Sequence, residues 1–175
     1  DIPIVYTPLH GTGATMVPRC LKNFGFSNIS MVEEHAIPYG NIPTVKSPNP
    51  EESSALEMAI SKAESEGASL VMATDPDADR IGVMIDHSGS WQFLTGNEIG
   101  IILTNYAISK YRSNGRLNHS SVVVKTVVTT SLMEKIALEN KIQCIGNHLV
   151  GFKYIGDLMN KIESQNKIEH FILGT

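Results

Sequence analysis

The sequence predicts an α/β protein made of two consecutive α/β/α units whose sheets are mixed and mainly parallel. A strand–loop–helix order runs through residues 2–24 and again through residues 122–140, as in parallel strands joined by helices. A turn-forming stretch at residues 86–90 lies between two apolar runs and predicts a hairpin, which adds antiparallel pairing. We expect the first unit to span residues 1–96 and the second to span residues 97–175.

In the first unit, apolar runs predict the strands, and glycine and proline mark helix ends. The predicted strands cover residues 2–6, 29–32, 70–73, 81–85 and 91–94, and the predicted helices cover residues 14–24 and 50–66. Asn49 is the predicted N-cap of the second helix because Pro50 follows it and glutamates occupy the first turn. Residues 34–49 are predicted to form a long loop, a feature that is often functional in compact domains.

In the second unit, a helix is predicted to start at Thr95, because Thr95 and Glu98 have the spacing of a capping box. The remaining predicted strands cover residues 122–125, 143–145 and 170–173, and the remaining predicted helices cover residues 131–139 and 152–162. Residues 146–151 are predicted to form a loop.

The stretch at residues 75–80 (DPDADR), between two of these strands, is the strongest functional signal. Asp75, Asp77 and Asp79 would repel one another near a protein core, and a hard divalent cation with oxygen ligands removes that repulsion. Arg80 follows them, and the planar fork of an arginine suits phosphate. The stretch therefore predicts a metal site that serves phosphoryl chemistry.

The acidic stretch has three alternative interpretations. An EF-hand is excluded because its sixth and twelfth positions would be Arg80 and Asp86 instead of glycine and glutamate. An aspartyl-phosphate phosphatase or phosphotransferase, with Asp75 as the nucleophile and Asp77 beside it, stays open. A solvated acidic turn with no ligand is the third alternative.

Several stretches together resemble the α-D-phosphohexomutase family, the phosphoglucomutases and phosphomannomutases. The matching stretches, in the order of the family, are residues 6–13 (YTPLHGTG), 48–51 (PNPE), 75–80 (DPDADR), 95–98 (TGNE) and 151–153 (GFK). The resemblance is greatest to the phosphoglucomutase/phosphopentomutase type. It implies a piece of a four-domain enzyme, with domain II over residues 1–96 and a C-terminally incomplete domain III over residues 97–175.

The resemblance also implies an activity. Such an enzyme is an isomerase of carbohydrate metabolism that interconverts sugar 1-phosphate and 6-phosphate (or 5-phosphate) through a phosphoserine and a bisphosphate intermediate. Asp75, Asp77 and Asp79 would hold Mg²⁺, and Arg80 would act in catalysis. The phosphoserine would belong to another domain of the same polypeptide, so the isolated chain is expected to bind Mg²⁺ weakly and turn over no sugar phosphate. A metal-dependent sugar-phosphate sensor or an inactive homologue is the non-enzymatic alternative.

Two further residues are candidates for the site. His10 lies in a glycine-containing turn after the first strand, and it is either an acid/base helper or a residue that stabilises the turn. Lys153 follows the Gly151–Phe152 pair, and the resemblance makes it a candidate contact to substrate phosphate, the alternative being a surface lysine.

Composition excludes several other classes of partner. The net charge of −4 gives no overall attraction to nucleic acid, and no apolar run is long enough to span a bilayer. Cys20 and Cys144 form no CxxC pair, which favours reduced structural thiols and a cytoplasmic protein. Because the chain starts without methionine, we expect it to be a piece of a longer polypeptide.

Overall fold

The computed structural model describes residues 2–175 as two compact units, which divide after Gly96. Each unit has its own sheet. The predicted fold class, α/β with a mixed sheet and mainly parallel pairing, is confirmed. Among the described residues, no helix has the length and apolar character that crossing a membrane requires.

The first unit contains a five-stranded sheet with helices between the strands. Its elements are β1 (Ile4–Thr7), α1 (Gly13–Asn23), β2 (Ile29–Met31), α2 (Glu33–Ala36), α3 (Glu57–Glu66), β3 (Leu70–Thr74), β4 (Ile81–His87) and β5 (Ser90–Leu94). The strand order is β2-β1-β3-β4-β5. The pairs β2–β1 and β1–β3 are parallel, whereas β3–β4 and β4–β5 are antiparallel, so the sheet changes direction at β3.

The core of this unit lies between the centre of the sheet and α3. Val5 of β1 and Val71 of β3 are fully buried in one apolar cluster with Ala59 and Ala63 of α3. The two alanines follow the four-residue spacing of one helix face. Because their side chains are small, the helix can pack closely on the two central strands.

The second unit is a three-layer arrangement around a parallel sheet. Its elements are α4 (Gly96–Ser113), β6 (Val122–Thr126), α5 (Leu132–Glu139), β7 (Gln143–His148), α6 (Phe152–Ser164) and β8 (Phe171–Gly174), with strand order β7-β6-β8. Alternate residues of β6 face opposite sides. Val123 packs with Met133 of α5, whereas Val122 and Val124 pack with Ile155 of α6. The two faces of β6 are therefore both covered, as expected for a central parallel strand.

The start of α3 differs from the prediction. The α-helix begins at Glu57, after a 3₁₀ turn over Ser53–Leu56, and not next to Asn49. The Oδ1 atom of Asn49 accepts the backbone N–H of Glu51 at 3.1 Å, which closes a local turn in place of a helix cap. The prediction was wrong because an asparagine side chain can accept a backbone N–H both as a helix N-cap and in an isolated turn, so the residue type does not distinguish the two.

Two predicted loops are also partly ordered into elements. The loop predicted at residues 34–49 contains most of the short helix α2. The strand predicted to end at residue 145 continues to His148, because β7 resumes its pairing with β6 at Thr126 beyond an irregular step in the register. In the predicted hairpin, the strands extend to His87 and from Ser90, which leaves a two-residue turn.

The closest backbone approach to β4 gives a stability test. A Cβ atom on the buried Gly82 would lie 2.0 Å from the carbonyl oxygen of Pro50. Because the obstacle is backbone, we expect Gly82→Ala to lower the free energy of unfolding by about 2 kcal/mol or more, measured by urea denaturation. Gly40→Ala is the control, since its Cβ would meet no atom within 4 Å. Equal stability of the two variants would contradict the close packing of Pro50 on β4.

Candidate functional site

The acidic stretch is the connection between two neighbouring antiparallel strands. Thr74 of β3 and Ile81 of β4 are opposite partners, so the ends of the loop at residues 75–80 are held together. Inside the loop, the N–H of Ala78 donates to the carbonyl oxygen of Asp75 at 3.0 Å. Ala78 has φ of 60°, a left-handed conformation that is uncommon outside glycine, and this tightens the turn.

The loop brings three predicted ligands together. One carboxylate oxygen from each of Asp75, Asp77 and Asp79 lies within 4.8 Å of the other two. Ligands on opposite sides of Mg²⁺ lie about 4.2 Å apart, twice the usual metal–oxygen distance, and Ca²⁺ accepts slightly wider sets. Only Asp75 is buried, at 1% exposure, and the other two face solvent. The three oxygens are therefore near enough to one another for a hard divalent cation to draw them together as ligands.

Arg80 is bound to the buried member of this cluster. Its backbone N–H donates to Oδ1 of Asp75 at 3.0 Å, and its Nε–H donates to Oδ2 at 2.8 Å. Its Nη1 donates to Oδ1 of Asn49 at 3.0 Å. The guanidinium is therefore held by two side chains, one from the loop and one from the turn before α3.

The electrostatics of the loop follow from these contacts. Burial alone would raise the pKa of Asp75, but the hydrogen bonds and charge of Arg80 hold that pKa below its usual value. Partial desolvation and the negative charges of Asp75 and Asp77 raise the pKa of Asp79. The raised pKa of Asp79 is the electrostatic sign of carboxylates held close together, which a bound cation would relieve.

The loop that follows β1 packs against the start of the acidic loop. A Cβ atom on Gly11 would lie 2.4 Å from Cα of Pro76, so only glycine fits there. The backbone N–H and the hydroxyl of Thr12 both donate to the carbonyl oxygen of Pro76, at 2.9 and 3.2 Å. Because β1 and β3 are parallel neighbours, their carboxyl ends bring these two loops together.

The ring of His10 points to a different partner. Its Nδ1 lies 3.0 Å from the carbonyl oxygen of Ile37, and its Nε2 lies 2.7 Å from the hydroxyl of Thr44. Both ring nitrogens are thus engaged by the segment after α2, and none of the described bonds of this ring reaches residues 75–80. The catalytic role predicted for His10 stays a prediction.

His35 is a buried polar residue that the sequence analysis did not single out. Its Nδ1 lies 2.7 Å from the hydroxyl of Thr7, and its ring centroid lies 5.1 Å from that of His10. Its Nε2 is buried and has no hydrogen-bond partner within residues 2–175. Burial and the neighbouring His10 lower the pKa of His35, against a smaller opposite effect of Glu34. A histidine in a polar sequence context gives no signal of such burial.

In the second unit, Lys153 is exposed on the first turn of α6, with Nζ 5.0 Å from the centroid of the Tyr154 ring. Its contact with a substrate phosphate stays a prediction.

A second lysine, which was not among the predicted site residues, is buried at the carboxyl end of β6. Lys125 is 5% exposed, and its Nζ pairs with Glu134 at 3.1 Å. The sequence signal for this residue is a lysine within an otherwise apolar strand. A lysine that is buried in this way needs a charged partner or a ligand.

The fold and the site define a two-unit α/β protein with a loop of three converging carboxylates beside a fixed arginine. Two family models match the chain: Phosphoglucomutase/phosphomannomutase, alpha/beta/alpha domain II over residues 1–89, and alpha/beta/alpha domain III over residues 95–171. The chain belongs to the phosphoglucomutase/phosphomannomutase family, the α-D-phosphohexomutases.

Curated relatives extend this result. The chain is 35% identical to a protein of Mycoplasmoides pirum named phosphomannomutase, over 99% of the chain and 30% of the relative. It is 37% identical to a protein of Staphylococcus haemolyticus (strain JCSC1435) named phosphoglucomutase, over 93% of the chain and 29% of the relative. The chain thus spans less than a third of the length of these relatives.

A solved structure shows the same fold. A phosphoglucomutase/phosphomannomutase family protein of Burkholderia thailandensis superposes with a TM-score of 0.68 at 19% identity. The match covers 91% of this chain and 32% of that protein.

The burial of His35 predicts an observable titration. In ring-selective NMR spectra, we expect His35 to titrate with a pKa below the ordinary value of about 6.5. Because the unfolded chain then takes up this proton first, the free energy of unfolding should fall as the pH drops below about 6.5. A His35→Gln variant assigns the signal. A midpoint at or above 6.5 would contradict the buried, neutral imidazole.

Proposed function

We propose that the chain is a part of a Mg²⁺-dependent phosphohexomutase, an isomerase that moves a phosphoryl group between two positions of a sugar. Residues 1–96 would form its domain II, and residues 97–175 would form most of its domain III. The observation that carries the proposal is the loop at residues 75–80, where three carboxylates converge beside a fixed guanidinium in a member of this family.

The residues of the acidic loop would have two roles, cation binding and contact with the transferring phosphoryl group. Asp75, Asp77 and Asp79 would hold the cation through oxygen ligands. When bound, Mg²⁺ supplies positive charge that offsets the negative charge of the transferring phosphoryl group. Arg80 would contact an equatorial oxygen of that group, because arginine's fork matches phosphate geometry. Asp75 keeps Arg80 in place and stays ionised through the same contacts.

The rest of the site would come from the longer polypeptide, which would be a phosphoprotein. Its phosphoserine would complete the ligands of the cation, donate its phosphoryl group to a sugar phosphate and receive another back through a bisphosphate intermediate. Lys153 would contact a substrate phosphate. For His10, the two bonds to Ile37 and Thr44 support the alternative role of stabilising the loop.

The substrate class of the proposed enzyme is the sugar phosphates, with no single sugar favoured. The relatives named phosphomannomutase and phosphoglucomutase are 35% and 37% identical to the chain. The similarity of these two values gives no ground for preferring mannose over glucose.

The rival mechanism makes Asp75 a nucleophile that carries the phosphoryl group itself. The geometry argues against it. Asp75 is 1% exposed, and both of its carboxylate oxygens accept hydrogen bonds from Arg80. A nucleophilic oxygen must be reached in line by the phosphorus atom of a bulky phosphate group, whereas a ligand oxygen needs to be reached only by a single small cation.

Removal of the carboxylates tests the metal site. In calorimetric titrations of the chain with MgCl₂, we expect Asp77→Asn and Asp79→Asn each to weaken binding roughly tenfold or more, since affinity follows ligand charge. Asp86→Asn is the control, because Asp86 is exposed on β4 of the same unit and loses the same charge. Equal Mg²⁺ affinity in all three variants, or no binding by the unmodified chain, would reject the site.

Trapping with beryllium fluoride separates the two mechanisms. Under the mutase proposal, the chain with Mg²⁺ forms no beryllofluoride adduct on Asp75, and the isolated chain does not convert glucose 1-phosphate. An adduct in ¹⁹F NMR that disappears in Asp75→Asn would support the aspartyl-phosphate mechanism instead. Robust mutase turnover by the isolated chain would contradict the need for a phosphoserine from outside it.

A further inference from the structure

Asn49, which the sequence predicts as a helix cap, lies at the centre of a hydrogen-bond network. Its Oδ1 accepts two bonds, from Nη1 of Arg80 at 3.0 Å and from the N–H of Glu51 at 3.1 Å. Its Nδ2 donates to Oε1 of Glu52 at 3.2 Å. Because the amide faces donors with its oxygen and a carboxylate with its nitrogen, its orientation is determined on both sides.

The turn that carries Asn49 is itself fixed to the sheet. Pro50 is buried, and its carbonyl oxygen lies so near to Gly82 that a Cβ there would be 2.0 Å away. Gly82 follows Arg80 by two positions on the strand that leaves the acidic loop. The acceptor for Arg80 is therefore held by backbone packing and not by a mobile loop.

The two acceptors restrain the guanidinium in different ways. The bond from Nε to Asp75 would by itself allow the planar group to rotate about that contact. The bond from Nη1 to Asn49 lies on another nitrogen and removes this rotation. Within residues 2–175 the structure gives partners to two of the five guanidinium N–H groups, which leaves three for a ligand.

We propose that Asn49 is a positioning residue that, together with Asp75, fixes the plane of the Arg80 guanidinium for contact with a phosphoryl oxygen. This inference rests on the proposed function, in which Arg80 contacts the transferring group. The side chain of Arg80 is 47% exposed, so its free donors are accessible to a ligand. A guanidinium that is already ordered loses less conformational freedom when it binds, which strengthens binding.

Two variants of Asn49 separate this role from support of the turn. Asn49→Ser keeps a hydroxyl that can close the local turn but is too short to reach Arg80. Asn49→Asp keeps an acceptor oxygen at the same distance but replaces the donor to Glu52 with a negative charge. We expect rotation about the Nε–Cζ bond of Arg80, measured by ¹⁵N NMR on the metal-free chain, to be roughly 2- to 10-fold faster in Asn49→Ser. Rotation should be no faster than in the unmodified chain in Asn49→Asp, whose carboxylate can still accept from Nη1, and unchanged in the exposed control Asn160→Ser.

The second measurement is the affinity of the Mg²⁺-loaded chain for inorganic phosphate. We expect Asn49→Ser to weaken phosphate binding on the order of 3- to 10-fold while leaving the affinity for Mg²⁺ unchanged, and Asn160→Ser to change neither affinity. Unchanged rotation in Asn49→Ser, or equal phosphate affinity in Asn49→Ser and the unmodified chain, would overturn the role of Asn49. Absence of Mg²⁺ binding in the unmodified chain would instead overturn the proposed function. The rotation measurement on the metal-free chain would still test the Asn49–Arg80 hydrogen bond.

Discussion

The site depends on one constraint: the pairing of β3 with β4 forces three like charges into a short loop. At 4.8 Å, two carboxylates repel each other by about 1 kcal/mol in the dielectric of water and by several times more near a protein surface. The fold limits this cost by burying only Asp75 and giving it the charge of Arg80. Asp77 and Asp79 stay in solvent. The fold therefore limits the electrostatic cost of bringing three carboxylates together in this loop.

The acidic loop is held from both of its ends. Gly11 and Thr12 pack against Pro76 at its start, and the turn at Asn49 engages Arg80 at its end. Both supporting segments precede the acidic loop in the chain: one directly follows β1, and the other lies between α2 and α3. The parallel arrangement of β1 and β3 places the first support, and close packing of Pro50 on β4 places the second. The geometry of the site is thus a product of the sheet, with little contribution from loop flexibility.

The sequence predicted what depends on local pattern and failed where distant residues compete. The buried strands, the stop of α3 at Gly67 and the cluster of aspartates follow from spacing and residue type, and all are present. The role of Asn49 could not be predicted, because its partner lies 31 positions away and a capping side chain looks the same in either structure. The ion pair of Lys125 could not be predicted for a similar reason, since its partner Glu134 lies on the following helix.

The hairpin connection at residues 75–80 also affects the susceptibility of the chain to proteolysis. Trypsin cleaves after arginine and needs an extended segment, which an exposed site offers only when the backbone can open locally. Arg80 is half exposed, yet its backbone N–H and guanidinium are both bound, and the next residue belongs to a paired strand. The peptide bond after Arg80 is therefore protected for as long as β3 and β4 stay paired, and cleavage there reports the opening of the sheet itself.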